Sequence, residues 1–192
     1  MILWFALLVL AVVYRISSPF VDWLPNFAPV MAIAFCGSVY TRNRLAALAP
    51  LLALMISDII LNAHYGVALF RPAMLASYGC YAVASILGFT VAEHKNWITL
   101  AGGALASSFL FYFVTNTVAW FGNPVYLQTW TGWIQALTVG EPGYAPTVFF
   151  FRNTLLGDLV FTGFFAFCME WNAAHAGHVN LLPARSQSIS KA

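Results

Sequence analysis

Long runs of apolar residues, each bracketed by polar or proline-containing segments, dominate the chain. A helix that crosses the hydrocarbon core of a membrane needs roughly 20 such residues, with a range of about 17 to 25. The runs that meet this length cover residues 45–62, 72–92, 97–121 and 147–171. Residues 1–14 and 27–40 are shorter, but they are bracketed in the same way and are counted as spans. We therefore predict an all-α integral membrane protein with six transmembrane helices.

The composition excludes several classes of protein. Only 7% of the residues are charged and 61% are hydrophobic, which leaves too little polar surface for a soluble domain. The net charge of +2 includes no run of lysine and arginine, which argues against a nucleic-acid partner. The chain has no GxxxxGK[ST] motif, so any ATP would be used by a partner. We expect one six-helix domain at 1–171 and a polar cytoplasmic tail at 172–192.

Lysine and arginine in short loops predict the orientation, because cytoplasmic loops carry the excess of positive charge. With six spans, both termini and the second and fourth loops share one side. The basic residues of that side are Arg42, Arg44, Lys95, Arg185 and Lys191. The other side has Arg15 and Arg71, in the first and third loops, or three basic residues if Arg152 at the mouth of the sixth span is included. We therefore predict that both termini are cytoplasmic and that the long aromatic loop at 122–146 is outside.

We single out three charged residues inside predicted spans, namely Asp58, Arg152 and Asp158. A charge in a membrane helix costs about 2.5 to 3.5 kcal/mol on insertion scales, so each needs a reason. One hypothesis is structural, with Arg152 paired to Asp58 or Asp158. The other is functional, with the planar guanidinium of Arg152 donating to a carbonyl, amide or phosphate of a solute. Both hypotheses remain open at this level. The predicted orientation places Asp58 and Arg152 each about one turn from the outer end of its span.

Further polar and aromatic residues are predicted at the same outer end. Asn116 and Trp120 lie near the end of the fifth span, while His64 and Tyr65 follow the third. Each residue taken alone is more often structural, because tryptophan and tyrosine are enriched at membrane interfaces. Their convergence on one side favours an outward-facing binding region.

The cysteines Cys36, Cys80 and Cys168 each lie in an apolar run, without the spacing of a disulfide framework or a zinc site. A lone thiol in an apolar helix is usually a small packing residue. Cys80 is preceded by Gly79, which removes one side chain beside the sulfur, and a soft thiolate suits a late transition metal. The residues alone therefore favour packing for Cys80 and leave a ligand role open.

Several segments together resemble a known family of membrane proteins. They are Asn-Phe-Ala-Pro-Val at 26–30, Ser-Asp at 57–58, Phe-Val-Thr-Asn at 113–116 with Trp120, and Phe-Arg-Asn-Thr-Leu-Leu-Gly-Asp at 151–158. In this pattern the chain resembles the substrate-binding S-components of energy-coupling-factor transporters, and more narrowly the BtuM family of small bacterial vitamin B12 transporters.

The resemblance implies an S-component-like fold in the bacterial inner (plasma) membrane and cobalamin as the transported substrate. It implies that Cys80 is the protein ligand of the cobalt. Aromatic residues such as Tyr81 would cover the corrin ring, and Asp58, Asn116 or Arg152 would contact its amides. His64 is a further residue expected to bind the cobalamin. A thiolate on one face of the cobalt would weaken the bond to cyanide on the other face and favour a lower oxidation state. We therefore expect decyanation of cyanocobalamin at Cys80.

The resemblance also implies a partner and leaves alternatives. S-components dock to a shared energising module, often through AxxxA on the first helix, whereas Ala6 and Ala11 here are five residues apart. The same scaffold could carry another small vitamin, with Cys80 only packing. A membrane enzyme with a redox or nucleophilic Cys80 would need a base or a resolving cysteine, and the spans contain no histidine. A purely structural subunit would leave the long aromatic loop unexplained.

Overall fold

The computed structural model describes residues 2–17, 26–41, 44–70, 72–178 and 180–182. Within these ranges the chain forms seven α-helices and no strand. The helices are α1 (Ile2–Ser17), α2 (Val30–Thr41), α3 (Arg44–His64), α4 (Pro72–Glu93), α5 (Trp97–Gly122), α6 (Trp130–Leu137) and α7 (Thr147–His175). The predicted all-α class is therefore confirmed.

Each predicted span coincides with a helix, and α6 is a short additional helix inside the predicted fifth loop. In the described part of the chain, three helices are long and apolar enough to cross a membrane. They are Ala73–Glu93, Trp97–Gly122 and Thr147–His175. The apolar parts of α1, α2 and α3 are shorter, so six spans remain a prediction. The residues Arg42, Arg71, Arg185 and Lys191, which contribute to the predicted orientation, lie outside the described residues.

Local sequence sets several helix starts. The Asn96 side chain accepts hydrogen bonds from the backbone N–H groups of Ile98 and Thr99, both at 2.9 Å. The Thr99 hydroxyl in turn accepts from the Asn96 N–H, which completes a capping box at the start of α5. Thr129 caps α6 with its side chain. Before α2, Asn26 has a φ of 62°, a left-handed conformation that asparagine tolerates better than most residues.

Helix α2 is the centre of the bundle, and all of its residues from 31 to 39 are buried. It is apolar on every side, as expected of a helix surrounded by protein. Glycines in the neighbouring helices allow a close approach. A Cβ atom at Gly88 of α4 would meet the Phe35 carbonyl oxygen and would lie 2.9 Å from the Ser38 Cβ. A Cβ at Gly103 of α5 would overlap the Phe35 ring.

One end of the bundle, which we call the pocket end, joins the last turns of α1 and α3 to the first part of α4 and α7. An ion pair between Arg15 and Asp58 connects α1 to α3. The Thr154 hydroxyl of α7 donates to the Asn26 carbonyl at 3.4 Å, next to the start of α2. One group of polar residues therefore gathers at this end, around the start of the central helix.

The other end, which we call the Lys95 end, is also polar. Lys95 forms an ion pair with Glu170 of α7 and lies 4.7 Å from the centre of the Tyr40 ring of α2. Glu170 also accepts a hydrogen bond from the Leu181 N–H at 2.8 Å. Helix α7 continues to His175, beyond the predicted domain boundary at residue 171. The chain after α7 therefore returns to the bundle.

Candidate solute-binding cavity

A cavity of about 460 Å³ lies at the pocket end, between α1, α3, α4, α5, α7 and the turn before α2. Its size falls within the ~300–1,000 Å³ that is usual for small-molecule sites. Its polar wall residues include Arg15, Asn26, Asp58, Asn62, Thr154 and Asp158. Its apolar wall residues include Phe27, Met31, Met74, Tyr81 and Phe111. Apolar walls with a few convergent polar groups are typical of ligand sites.

Arg15 and Asp58 form the charged part of the cavity wall. Their side chains are largely buried, with 15% and 14% exposed. Asp58 also accepts a hydrogen bond from the Tyr78 hydroxyl at 2.9 Å, and the Tyr81 side chain interacts with Arg15. A cation near the C-terminal end of α1 is favoured by the helix dipole. This group of four residues, the Arg15 cluster, therefore joins α1, α3 and α4.

Asp158 is 1% exposed and accepts hydrogen bonds from two other helices. The Ala32 N–H in the first turn of α2 donates at 3.3 Å, and the Ser108 hydroxyl of α5 donates at 2.7 Å. The first N–H groups of a helix have no partner inside the helix, and a carboxylate there satisfies them and faces the positive end of the dipole. Asp158 of α7 therefore caps the central helix.

Arg152 is not part of either network. It is exposed, and its guanidinium donates to the Asn153 side-chain oxygen at 3.3 Å. The predicted pairing of Arg152 with Asp58 or Asp158 is therefore wrong. The physical reason is the length of α1, which extends beyond the predicted span. Arg15, assigned from the sequence to the first loop, lies in the last turn of α1 and pairs with Asp58 instead.

Two more residues that were predicted to bind the solute lie outside the wall of the main cavity. His64, in the last turn of α3, is exposed and packs edge-on against the Tyr65 ring, with centroids 5.3 Å apart. Asn116 lines a second cavity of about 180 Å³, which shares three wall residues with the first. The structure therefore brings Asn116 next to the main cavity, whereas His64 and Arg152 are not in either wall.

Cys80 lies on the buried face of α4 and is 3% exposed. The cavity wall includes Ser77, one turn earlier, and Tyr81, the next residue, but not Cys80. Gly79 opens no route to the sulfur, because it is exposed and a Cβ there would meet nothing within 4 Å. Among the described residues no group of three or more His, Cys, Asp or Glu side chains could hold a metal ion. A metal at Cys80 would therefore depend on this one thiolate.

A sequence model of DUF6580, a family of unknown function, matches residues 1–180. The chain belongs to the DUF6580 family. The match extends over all seven helices, so the cavity and both polar ends lie within the region that defines the family. No curated protein and no solved structure shows significant similarity to the chain.

In this member of DUF6580 the predicted aromatic loop, residues 122–146, contains α6 and is attached to α5. The Trp133 indole N–H donates to the Thr117 hydroxyl at 3.0 Å. Tyr126 is 8% exposed, and its burial together with the nearby Glu141 carboxylate raises its pKa. The segment is therefore an ordered, partly helical structure beside the pocket end.

Two charged residues that pair across this DUF6580 chain escape the sequence analysis. Arg15 was assigned to a loop, and Glu170 was not counted among the charges inside spans. Glu170 is 0% exposed and pairs with Lys95. A signal for this second pair was present, because the predicted topology places Lys95 and the end of the last span on the same side of the membrane.

Proposed function

We propose that the protein is a multi-pass membrane transporter that binds a vitamin-sized solute in the main cavity, and that this solute is cobalamin. The observation that carries the proposal is the position of Cys80. It lies on the buried face of α4, one helical turn after Ser77 and next to Tyr81, and both of these neighbours are in the cavity wall. The segments that carry the family resemblance, including residues 26–30 and 151–158, also gather at the pocket end, which supports the same reading.

The chemistry of the wall supports a solute rich in N–H donors. Asp58 and Asp158 are carboxylates, and Arg15 is the cation among the described wall residues. Carboxylates accept hydrogen bonds from amide groups, and cobalamin carries amide side chains around its corrin ring. The Tyr81 and Phe111 rings are nearly parallel, 9° apart, with centroids at 5.7 Å. Their flat surfaces would suit contact with a planar ring system.

Binding of a whole corrinoid requires the pocket end to open. Cobalamin is larger than drug-sized ligands, so a cavity of about 460 Å³ holds only part of it. The Arg15 cluster ties α1 to α3 and α4 along the cavity wall. Separation of Arg15 from Asp58 would widen the cavity. Amide groups of the solute would then replace the hydrogen bonds that Asp58 loses.

The thiol of Cys80 supplies the chemistry of the proposed contact with cobalt. Coordination drives the proton off a thiol, and thiolates are soft ligands for late transition metals. With sulfur in the lower axial position, cobalamin would be bound without its own base on the metal. Electron donation from sulfur would weaken the bond to cyanide on the opposite face. Cyanide would leave with its bonding electron pair, so the transporter would also be a modest decyanating catalyst.

The second candidate is a transporter for a smaller vitamin, with Cys80 as a packing residue. The cavity volume favours this candidate, because it suits a small heterocycle without any opening. The 3% exposure of Cys80 also favours it, since a buried free thiol usually packs as a small apolar group. The two candidates share the cavity and differ in the role of the sulfur.

A visible spectrum during titration with cyanocobalamin and hydroxocobalamin separates the candidates. We expect saturable binding and loss of cyanide with the wild-type protein. Cys80→Ser should keep the wild-type unfolding temperature and lose the thiolate-type spectrum and the decyanation, because serine is nearly isosteric but a hard ligand. Cys36→Ser and Cys168→Ser are the matched controls and should behave as wild type. Native decyanation by Cys80→Ser would reject the thiolate mechanism, and a wild-type protein that binds no corrinoid would favour the smaller vitamin.

The same proposal places the protein in the bacterial inner membrane, in contact with the lipid bilayer and with both termini in the cytoplasm. The cavity would then face outward, and the Lys95 end would face the cytoplasm. An energising module shared with other transporters is the protein partner that the resemblance implies. No nucleotide-binding motif occurs in the chain itself.

A further inference from the structure

A line of buried polar residues runs between α2 and α7, from the cavity towards the Lys95 end. Asp158, Thr162 and Glu170 share one face of α7, because they are four and eight residues apart. They are 1%, 3% and 0% exposed. Cys36 and Tyr40 of α2 are one turn apart and lie against this face. From 158 to 170 the line is about 18 Å long at 1.5 Å per residue, more than half of the ~30 Å hydrocarbon core.

Neighbouring members of the line are close to one another. The Cys36 thiol lies beside the Thr162 hydroxyl and is near Asp158. The Tyr40 hydroxyl lies beside the Glu170 carboxylate and is also near Cys36. The first member lines the cavity, and the last is paired with Lys95. The two ends of the bundle are therefore connected by a series of polar groups along the contact between α2 and α7.

Two hydroxyls of this line lie beside polar neighbours without a well-formed hydrogen bond to them. Within the described residues, the buried hydroxyls of Tyr40 and Thr162 make no hydrogen bond of normal geometry. A buried polar group without a hydrogen bond destabilises the fold, and phenylalanine and valine would fill the same space without that cost. The Ser38 hydroxyl is also unbonded, but its Cβ contacts Gly88 of α4 and belongs to a different interface.

We propose that this line is a proton path between the cavity and the Lys95 end. Polar and ionisable residues inside a membrane bundle commonly form such relays. A proton taken up by Asp158 from the cavity side would pass along the thiol and hydroxyl groups to Glu170, which releases one proton at the Lys95 end. Each intermediate group gives up one proton and receives another, so no group is oxidised or reduced. Where two successive groups are one helical turn apart, they are too far apart for a direct hydrogen bond. The proton transfer between them requires a bridging water molecule.

The surroundings of the two carboxylates suit entry and exit. Asp158 faces the Ala32 N–H of α2 and Ser108 of α5, and it lies near Cys36 and Tyr81. At the other end, Glu170 faces Lys95, the Tyr40 hydroxyl and the Leu181 N–H. The ion pair with Lys95 holds the Glu170 carboxylate at this end of the line.

The path would give the transporter an energy source of its own. A proton gradient across the membrane would change the charge of Asp158, which both lines the cavity and caps α2. Protonation removes one acceptor site for the Ala32 N–H or for Ser108 and so would loosen the start of the central helix. The inference goes beyond corrinoid binding and holds for any solute that the cavity accepts.

Proton flux into liposomes tests the path directly. Purified protein is reconstituted with a pH-sensitive dye inside, and a potassium gradient with valinomycin supplies the driving voltage. We expect the wild-type protein to acidify the lumen several-fold faster than protein-free liposomes do. Tyr40→Phe and Thr162→Val should each fall to the protein-free rate, with an unfolding temperature equal to or above that of wild type. Tyr14→Phe and Thr90→Val change exposed residues outside the line and should conduct as wild type.

The possible outcomes are distinct. A wild-type rate equal to that of protein-free liposomes, or wild-type flux through both line variants, would overturn the path. So would a lower unfolding temperature with unchanged flux, which indicates a structural role. Each variant tests the path alone, so one that fails to fold leaves the other decisive. Corrinoid binding is measured in a separate titration, so loss of the path and loss of the proposed substrate are distinguishable.

Discussion

Arg15 connects three helices through its ion pair with Asp58 and its contact with Tyr81. We expect Arg15→Ala to lower the free energy of unfolding by about 3 kcal/mol. This is the lower end of the ~3–5 kcal/mol for removing one partner of a buried pair, because both side chains keep some exposure. Arg152→Ala is the matched control and should change stability by less than about 0.5 kcal/mol, as exposed substitutions usually do. Denaturant unfolding of the purified protein measures both, and a larger loss for Arg152→Ala would contradict the assignment.

The cap that Asp158 provides for α2 gives a second expectation. Asp158→Ala should cost about 2 kcal/mol, the sum of a helix cap worth ~1 kcal/mol and a hydrogen bond from Ser108 worth ~1 kcal/mol. Asp158→Asn keeps one oxygen acceptor and should lose clearly less. The same unfolding measurement ranks the two variants, and equal losses would show that the carboxylate oxygens do not cap the helix.

At the scale of whole helices, the close contact of α2 with α4 depends on Gly88. We expect Gly88→Ala to destabilise the protein by about 1–3 kcal/mol, because the added methyl group would force the two helices apart. Gly102→Ala, in α5, is the matched control. A Cβ there meets nothing within 4 Å, so the substitution should be neutral or stabilising by up to ~1 kcal/mol through helix propensity. Thermal unfolding of both variants tests the difference, and similar shifts would argue against the close approach.

The sequence allowed the long helices to be predicted, because apolar runs and breakers are local signals. Helix α6 was missed, since eight residues are too few to give a clear periodic pattern. The Arg15 cluster was missed for another reason. A basic residue after an apolar run is typical of a loop, and only the packing of α1 against α3 brings Arg15 to Asp58. The cavity combines residues from six helices, so its wall follows from the tertiary arrangement and not from any local pattern.

For the molecule as a whole, the orientation in the membrane is the property most open to test. We expect Leu127→Cys, at a position that is 70% exposed near α6, to react with a membrane-impermeant maleimide added to intact cells. His94→Cys, exposed next to Lys95 and facing the cytoplasm under the predicted topology, should react only after the cells are broken. Cys36 and Cys80 are buried and give little background. The reverse pattern would invert the orientation and place the cavity on the cytoplasmic side.

The order of synthesis gives the cap on α2 a further meaning. Ala32 and its acceptor Asp158 are 126 residues apart in the chain. At ~5–20 residues per second, a ribosome adds Asp158 about 6 to 25 s after Ala32. During that interval the nascent α2 has no carboxylate at its first turn. The central helix is therefore synthesised early, but the carboxylate that caps it is added only when α7 is synthesised. A chain released before α7 would present this unfinished helix to the proteases that remove defective membrane proteins.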